Sequence, residues 1–134
     1  MRRAVYGALG ALMGLTACAG PIPLPDTAQA PVLARASDAP TEIVVLRTYF
    51  ASGVAHGELG QARCVVTQAG HRTEVVTPAR VGVATAGGAE IMVTCTALIG
   101  AGPQKANAVH PPLDPPAAAR ARRIYPATIG VYFN

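Results

Sequence analysis

The chain has 134 residues, 51% of them hydrophobic and only 13% charged, with 11 Lys and Arg against 7 Asp and Glu for a formal net charge of +4. A length this short leaves room for one small domain, and a charge this mild does not imply nucleic acid or a strongly acidic substrate. Two of the basic residues, Arg2 and Arg3, sit at the extreme N-terminus, and dropping them leaves nine basic against seven acidic side chains, a net of about +2.

Arg2 and Arg3 precede an apolar run from Val5 to Leu15. About 11 apolar residues suffice for a secretion signal and fall short of the ~20 that span a bilayer as a helix. Leu15-Thr16-Ala17-Cys18 closes the run with an aliphatic residue, two small residues and a cysteine. This pattern resembles bacterial lipoprotein precursors at all four of its defining positions. The resemblance implies cleavage between Ala17 and Cys18, diacylglycerol on the Cys18 sulfur and a third acyl chain on the freed amine. Two or three chains hold stably where one holds only marginally. The competing reading is an ordinary signal peptide cleaved after Ala17 or Ala19. Ala19, rather than Asp, follows the cysteine, which by analogy with enteric lipoproteins points to the periplasmic face of the outer membrane rather than the inner membrane.

Residues 18–40 carry Pro21, Pro23, Pro25, Pro31 and Pro40 among alanines and lack periodicity. Closely spaced prolines favour extended chain and remove backbone donors, so the segment is expected to be a tether holding the folded part tens of ångströms from the membrane. Pro21-Ile22-Pro23-Leu24-Pro25 has a second reading as a proline-rich docking motif.

Residues 41–134 predict a small antiparallel β-sandwich, the all-β class. Glu42 to Phe50 is dense in β-branched and aromatic residues on both alternating faces, as for a strand buried on much of both sides. Arg63 to Thr67 predicts a second strand, Ala69-Gly70 a turn, and Arg72 to Val76 a return strand that Pro78 ends. Val81 and Val83 alternate with Arg80 and Gly82, Gly87-Gly88 supplies a turn, and Glu90 to Thr96 places Ile91, Val93 and Cys95 on one face. Gly100 to Arg123 holds five prolines and is expected to be a long loop with one helical turn at Ala117 to Arg122. Ile124 to Phe133 resumes strand character.

Three cysteines make an odd count for an exported chain. Lipidation of Cys18 leaves Cys64 and Cys95 to pair in an oxidising compartment, where disulfides persist. Two buried free thiols or a metal site are the alternatives, though neither cysteine has a CxxC partner or clustered histidines.

Gly60-Gln61-Ala62-Arg63-Cys64, Gly70, Val76-Thr77-Pro78-Ala79-Arg80-Val81-Gly82-Val83 and Ile91-Met92-Val93-Thr94-Cys95, with the late Tyr125-Pro126, resemble a group of small proteobacterial envelope lipoproteins of unassigned function. More distantly, the Gly turn, Thr-Pro and alternating strand are similar to prealbumin-like β-sandwiches, such as carboxypeptidase regulatory and PEGA-type domains. The resemblance implies a fold and an envelope location and brings no chemistry.

No catalytic, cofactor or metal set emerges from the chemistry-bearing residues. His56, His71 and His110 are far apart and read as solvated loop histidines. Ser37 and Ser52 are the only serines, and Glu58 beside His56 reads as a surface pair more readily than a proton-transfer pair. Two features suit binding. Arg120, Arg122 and Arg123 form a basic cluster suited to an anionic partner such as lipid phosphates, or else a solvated edge. Tyr49-Phe50 and Tyr132-Phe133 are expected to seal one end of the core, with an outward member of each pair available to a partner. The expectation is a lipid-anchored structural or partner-binding module of the envelope. The alternative is an accessory that carries a ligand or partner protein, and an enzyme on envelope polymers ranks last.

Overall fold

The computed structural model describes residues 21–26, 30–33, 40–52 and 55–134; the expected signal segment, 1–17, and Cys18 lie outside the described residues. Alternation of apolar and polar side chains sets the faces of most strands, which are β1 (Val32–Leu33), β2 (Thr41–Ser52), β3 (Ala55–Leu59), β4 (Arg63–Gln68), β5 (His71–Val76), β6 (Ala79–Ala84), β7 (Ile91–Ile99), β8 (Gly102–His110) and β9 (Thr128–Phe133). They form the expected all-β sandwich. One sheet, here sheet A, has β1 beside β6, and β6 and β3 one after the other along the same side of β2, with β9 on its far side. The other, sheet B, runs β5-β4-β7-β8. Most pairings are antiparallel, but β1 runs parallel to β6 and β9 parallel to β2.

The core lies between the sheets. Val44 and Leu46 of β2, Val81 and Val83 of β6, and Ile129, Val131 and Phe133 of β9 face Cys64 and Val66 of β4 and Ile91, Val93 and Cys95 of β7. Cys64 and Cys95 are directly opposite in the β4–β7 register and form a disulfide with Cα atoms 4.0 Å apart. That close spacing is the one in which antiparallel neighbours bring their side chains nearest. The bond therefore ties two adjacent strands of sheet B and leaves the two sheets unlinked.

Buried polar side chains close both ends of the sandwich with their hydrogen bonds made, as burial demands. At one end Gln68 donates to the Ala84 carbonyl at 2.8 Å and to the Tyr125 hydroxyl at 3.0 Å, and accepts from the Ala84 amide at 2.9 Å. The Tyr125 hydroxyl in turn donates to the Ala89 carbonyl at 2.6 Å. At the other end the Thr48 and Thr77 hydroxyls meet at 2.7 Å, Thr48 also donates to the Leu59 carbonyl, and the Ala62 amide donates to the Thr77 hydroxyl.

Several expectations change. The loop expected over Gly100 to Arg123 contains β8, whose nine residues pair along the whole of β7. Pro103 is tolerated because β8 is the last strand of its sheet, where a missing N–H breaks no ladder. The helix there is Pro115–Ala121 (α1), started by Asp114 accepting from the Ala117 amide at 2.8 Å. The last strand begins at Thr128; before it, Glu42 accepts the Ile124 and Tyr125 amides and holds that segment beside β2 without a ladder. β3 is a strand the sequence did not announce. Lastly, the expected tether over 18–40 is in part a piece of the sandwich: Leu33 is 2% exposed, and Val32 and Leu33 pair with Gly82 and Val83.

Candidate functional site

The two outer faces of the sandwich differ in what covers them. On sheet A the outward residues of β2 are Ile43, Val45, Arg47 and Tyr49, and those of β9 are Thr128, Gly130 and Tyr132. Arg47 pairs with Glu58 of β3, their side chains only 17% and 13% exposed. The same two side chains clamp the main chain of Ile22: its amide donates to Glu58 Oε2 at 3.0 Å, and its carbonyl accepts from Arg47 Nη1 at 3.0 Å. Gly60 gives the Ile22 side chain its seat, since a Cβ there would lie 3.0 Å from Ile22 Cδ1. Farther along, Gly82 lets Val32 approach, and its amide donates to the Pro31 carbonyl at 2.8 Å. Tyr132 folds back over Gly130 and stacks on Tyr49 with ring centroids 5.2 Å apart. Stacked rings across neighbouring strands cover a glycine that would otherwise leave backbone bare. The aromatic pairs therefore divide by role, with Phe133 in the core and Tyr132 outward and 61% exposed.

Sheet B presents an open outer face. A depression of about 540 Å³ is lined on that side by Arg63 and Val65 of β4, Glu74 and Val76 of β5, Thr94 and Thr96 of β7 and Lys105 of β8. Register places Val76, Arg63, Thr96 and Lys105 in one row across all four strands. Glu74 is held by Arg72 at 3.2 Å. Three cations against one carboxylate leave this face positive, and Met92, Leu98 and Val109 expose apolar surface on it. A crevice of about 340 Å³ separates it from the N-terminal segment, between Pro25, Ala30 and Pro31 on one side and Glu74, Val76 and Arg80 on the other.

The space between the sheets is filled. The void among Val44, Leu46, Val66, Val81, Val83, Ile91, Val93 and Ile129 is about 10 Å³, room for one water at most. Among the described residues, that void leaves no place for a carried ligand.

The residues singled out from sequence are scattered. Arg123 turns inward, donating through Nε to the Tyr125 carbonyl and through Nη2 to the Ile43 carbonyl, so the basic trio reduces to exposed Arg120 and Arg122 at the end of α1. His71 and His110 stand at strand ends rather than in loops, paired to Gln68 and Ile91. His56 pairs by backbone with Ala51, and its side chain lies outside the described residues. Glu58 answers to Arg47 and Ile22. Among the described residues there is no group of three His, Cys, Asp or Glu side chains placed to hold a metal, and no helix is long and apolar enough to cross a membrane. Sequence reasoning missed the Arg47–Glu58 clamp, since the two partners are 11 residues apart and the main chain they hold lies 25 residues before Arg47.

Comparisons of the chain with protein-family models, with curated proteins and with solved structures find no match.

Proposed function

We propose that the chain is an envelope lipoprotein, anchored through acylated Cys18 on the periplasmic face of the outer membrane, whose sandwich serves as a structural or partner-binding module. The observation that carries the binding role is the contrast between a filled interior and the open, positive face of sheet B. Arg63 and Lys105 flank Thr96, with Val65 and Val76 beside them. A complementary partner is an envelope protein offering carboxylates next to an aliphatic side chain, because charge complementarity orients the encounter while apolar contact supplies adhesion.

A photo-crosslinking residue at Thr94, in the floor of the depression, tests this in intact cells. The expected result is one dominant adduct with an envelope protein, absent when the same residue replaces Thr128 and lost when Arg63→Glu and Lys105→Glu reverse the charge. An adduct indifferent to that reversal, or none above the Thr128 background, would overturn the docking face. The anchor has its own test: Cys18→Ala should release the protein from the membrane fraction, and retention there would contradict lipidation.

A further inference from the structure

The Ile22 clamp fixes how far the folded domain can stand from a lipid on Cys18. Ile22 is held by main-chain hydrogen bonds in both directions, to Glu58 and Arg47. Only four residue steps separate it from Cys18 in the sequence. Fully extended, they span at most about 14 Å, at 3.3–3.6 Å per residue. That is about three strand spacings of ~4.8 Å, so the domain cannot drift on a long leash while the clamp is closed. We infer that the outer face of sheet A lies against the bilayer, with Tyr132 and Tyr49 at the level of the headgroups. The inference rests on the reading of Cys18 as the lipidated residue.

Three features of that face suit a lipid interface. Glu58, Tyr49 and Tyr132 are register partners across three adjacent strands, so the exposed Tyr132 lies only two strand spacings, ~10 Å, from the carboxylate that holds Ile22. Tyrosine is the side chain to place there, with an apolar ring and a hydroxyl that stays hydrated. Val32, 54% exposed over Gly82, adds apolar surface along the same side. The one carboxylate among these outward residues, Glu58, is neutralised by Arg47, so apposition buries no unpaired anion beside the phosphates. The arrangement turns sheet B, with its open depression, away from the membrane and toward the periplasm. The N-terminal segment thus orients the domain, and does more than attach it.

The test uses the acylated full chain, purified from membranes and reconstituted in phosphatidylethanolamine–phosphatidylglycerol vesicles carrying a headgroup spin label. Fluorophores are placed at Thr128→Cys on sheet A or Asn107→Cys on sheet B, both exposed positions. Mass spectrometry first reports whether the acyl chains are present. With them present, quenching at position 128 several-fold stronger than at 107 supports the inference. Equal or reversed quenching overturns it and leaves the anchor standing. Absence of the acyl mass overturns the anchor and, with it, the inference. An eight-residue Gly-Ser insertion between Gly20 and Pro21 lengthens the leash without touching the clamp or the core. It should bring the two quenching values together, and an unchanged ratio would contradict the short-leash geometry.

Discussion

The two sheets of this sandwich bury similar aliphatic cores and yet finish their outer faces in opposite ways. Sheet B is tied internally by the Cys64–Cys95 bond and leaves its outer surface bare, with cations around a depression. Sheet A has no covalent tie among its described residues. It is covered instead by the chain's own N-terminal segment and by a tyrosine stack, seated on the outward glycines Gly60, Gly82 and Gly130. The lesson is that a small domain can dedicate one face to its own N-terminal segment and free the other. Glycine marks the face where something else must come close.

The contrast can be broken from either side, and the largest effect is expected from the covalent one. Replacing Cys64 and Cys95 with alanine together releases a closure of 31 residues and should cost about 3.5 kcal/mol on the chain-entropy argument. Urea unfolding would read this directly, and the melting temperature should fall by roughly 15–25 °C. Next comes Leu33→Ala, which empties a buried site in a segment that sequence alone reads as a spacer and should cost about 3 kcal/mol. A loss under ~0.5 kcal/mol would show β1 to be a surface attachment rather than part of the core.

Arg47→Ala should cost about 2 kcal/mol, because it leaves the mostly buried Glu58 carboxylate without its cation and the Ile22 carbonyl without its donor. Its more telling effect is local, since proteolysis near Ile22 should accelerate while the disulfide-linked pair of strands β4 and β7 stays protected. The smallest effect on stability belongs to the open face. Lys105→Ala, at an exposed position, should change unfolding free energy by less than ~0.5 kcal/mol. It should nonetheless weaken the Thr94 crosslink, which separates a binding role from a structural one.

Where apolar residues alternate, the fold was legible in the sequence. Ile91, Val93 and Cys95 point inward from β7, and Arg63 to Gln68 returns through the Ala69-Gly70 turn to β5. The cysteine pairing was legible by count, since setting Cys18 aside leaves Cys64 and Cys95, and both fall on inward positions of strands that prove to be neighbours. β8 was hidden because its inward positions, Gln104, Ala106 and Ala108, are small or polar and its second residue is Pro103. Such a strand is held by β7 rather than by its own propensity. β3 was hidden likewise, with Gly57 and Glu58 in a strand held by pairing to β2. The clamp on Ile22 was invisible in a different way. It joins the side chains of Arg47 and Glu58 to the main-chain amide and carbonyl of the distant Ile22, and main-chain atoms carry no sequence signal of their own. The open face of sheet B was missed because its residues look ordinary one at a time and become a site only in register.

The central claim is that the N-terminal segment belongs to the fold and covers sheet A. Native-state hydrogen exchange at two amides tests it most directly: Ile22, which donates to Glu58, and Gly82, which donates to the Pro31 carbonyl. Both should exchange far more slowly than an unstructured chain, and Arg47→Ala should release Ile22 while Gly82 stays protected. Exchange of Ile22 at the unstructured rate in the unaltered protein would contradict the account.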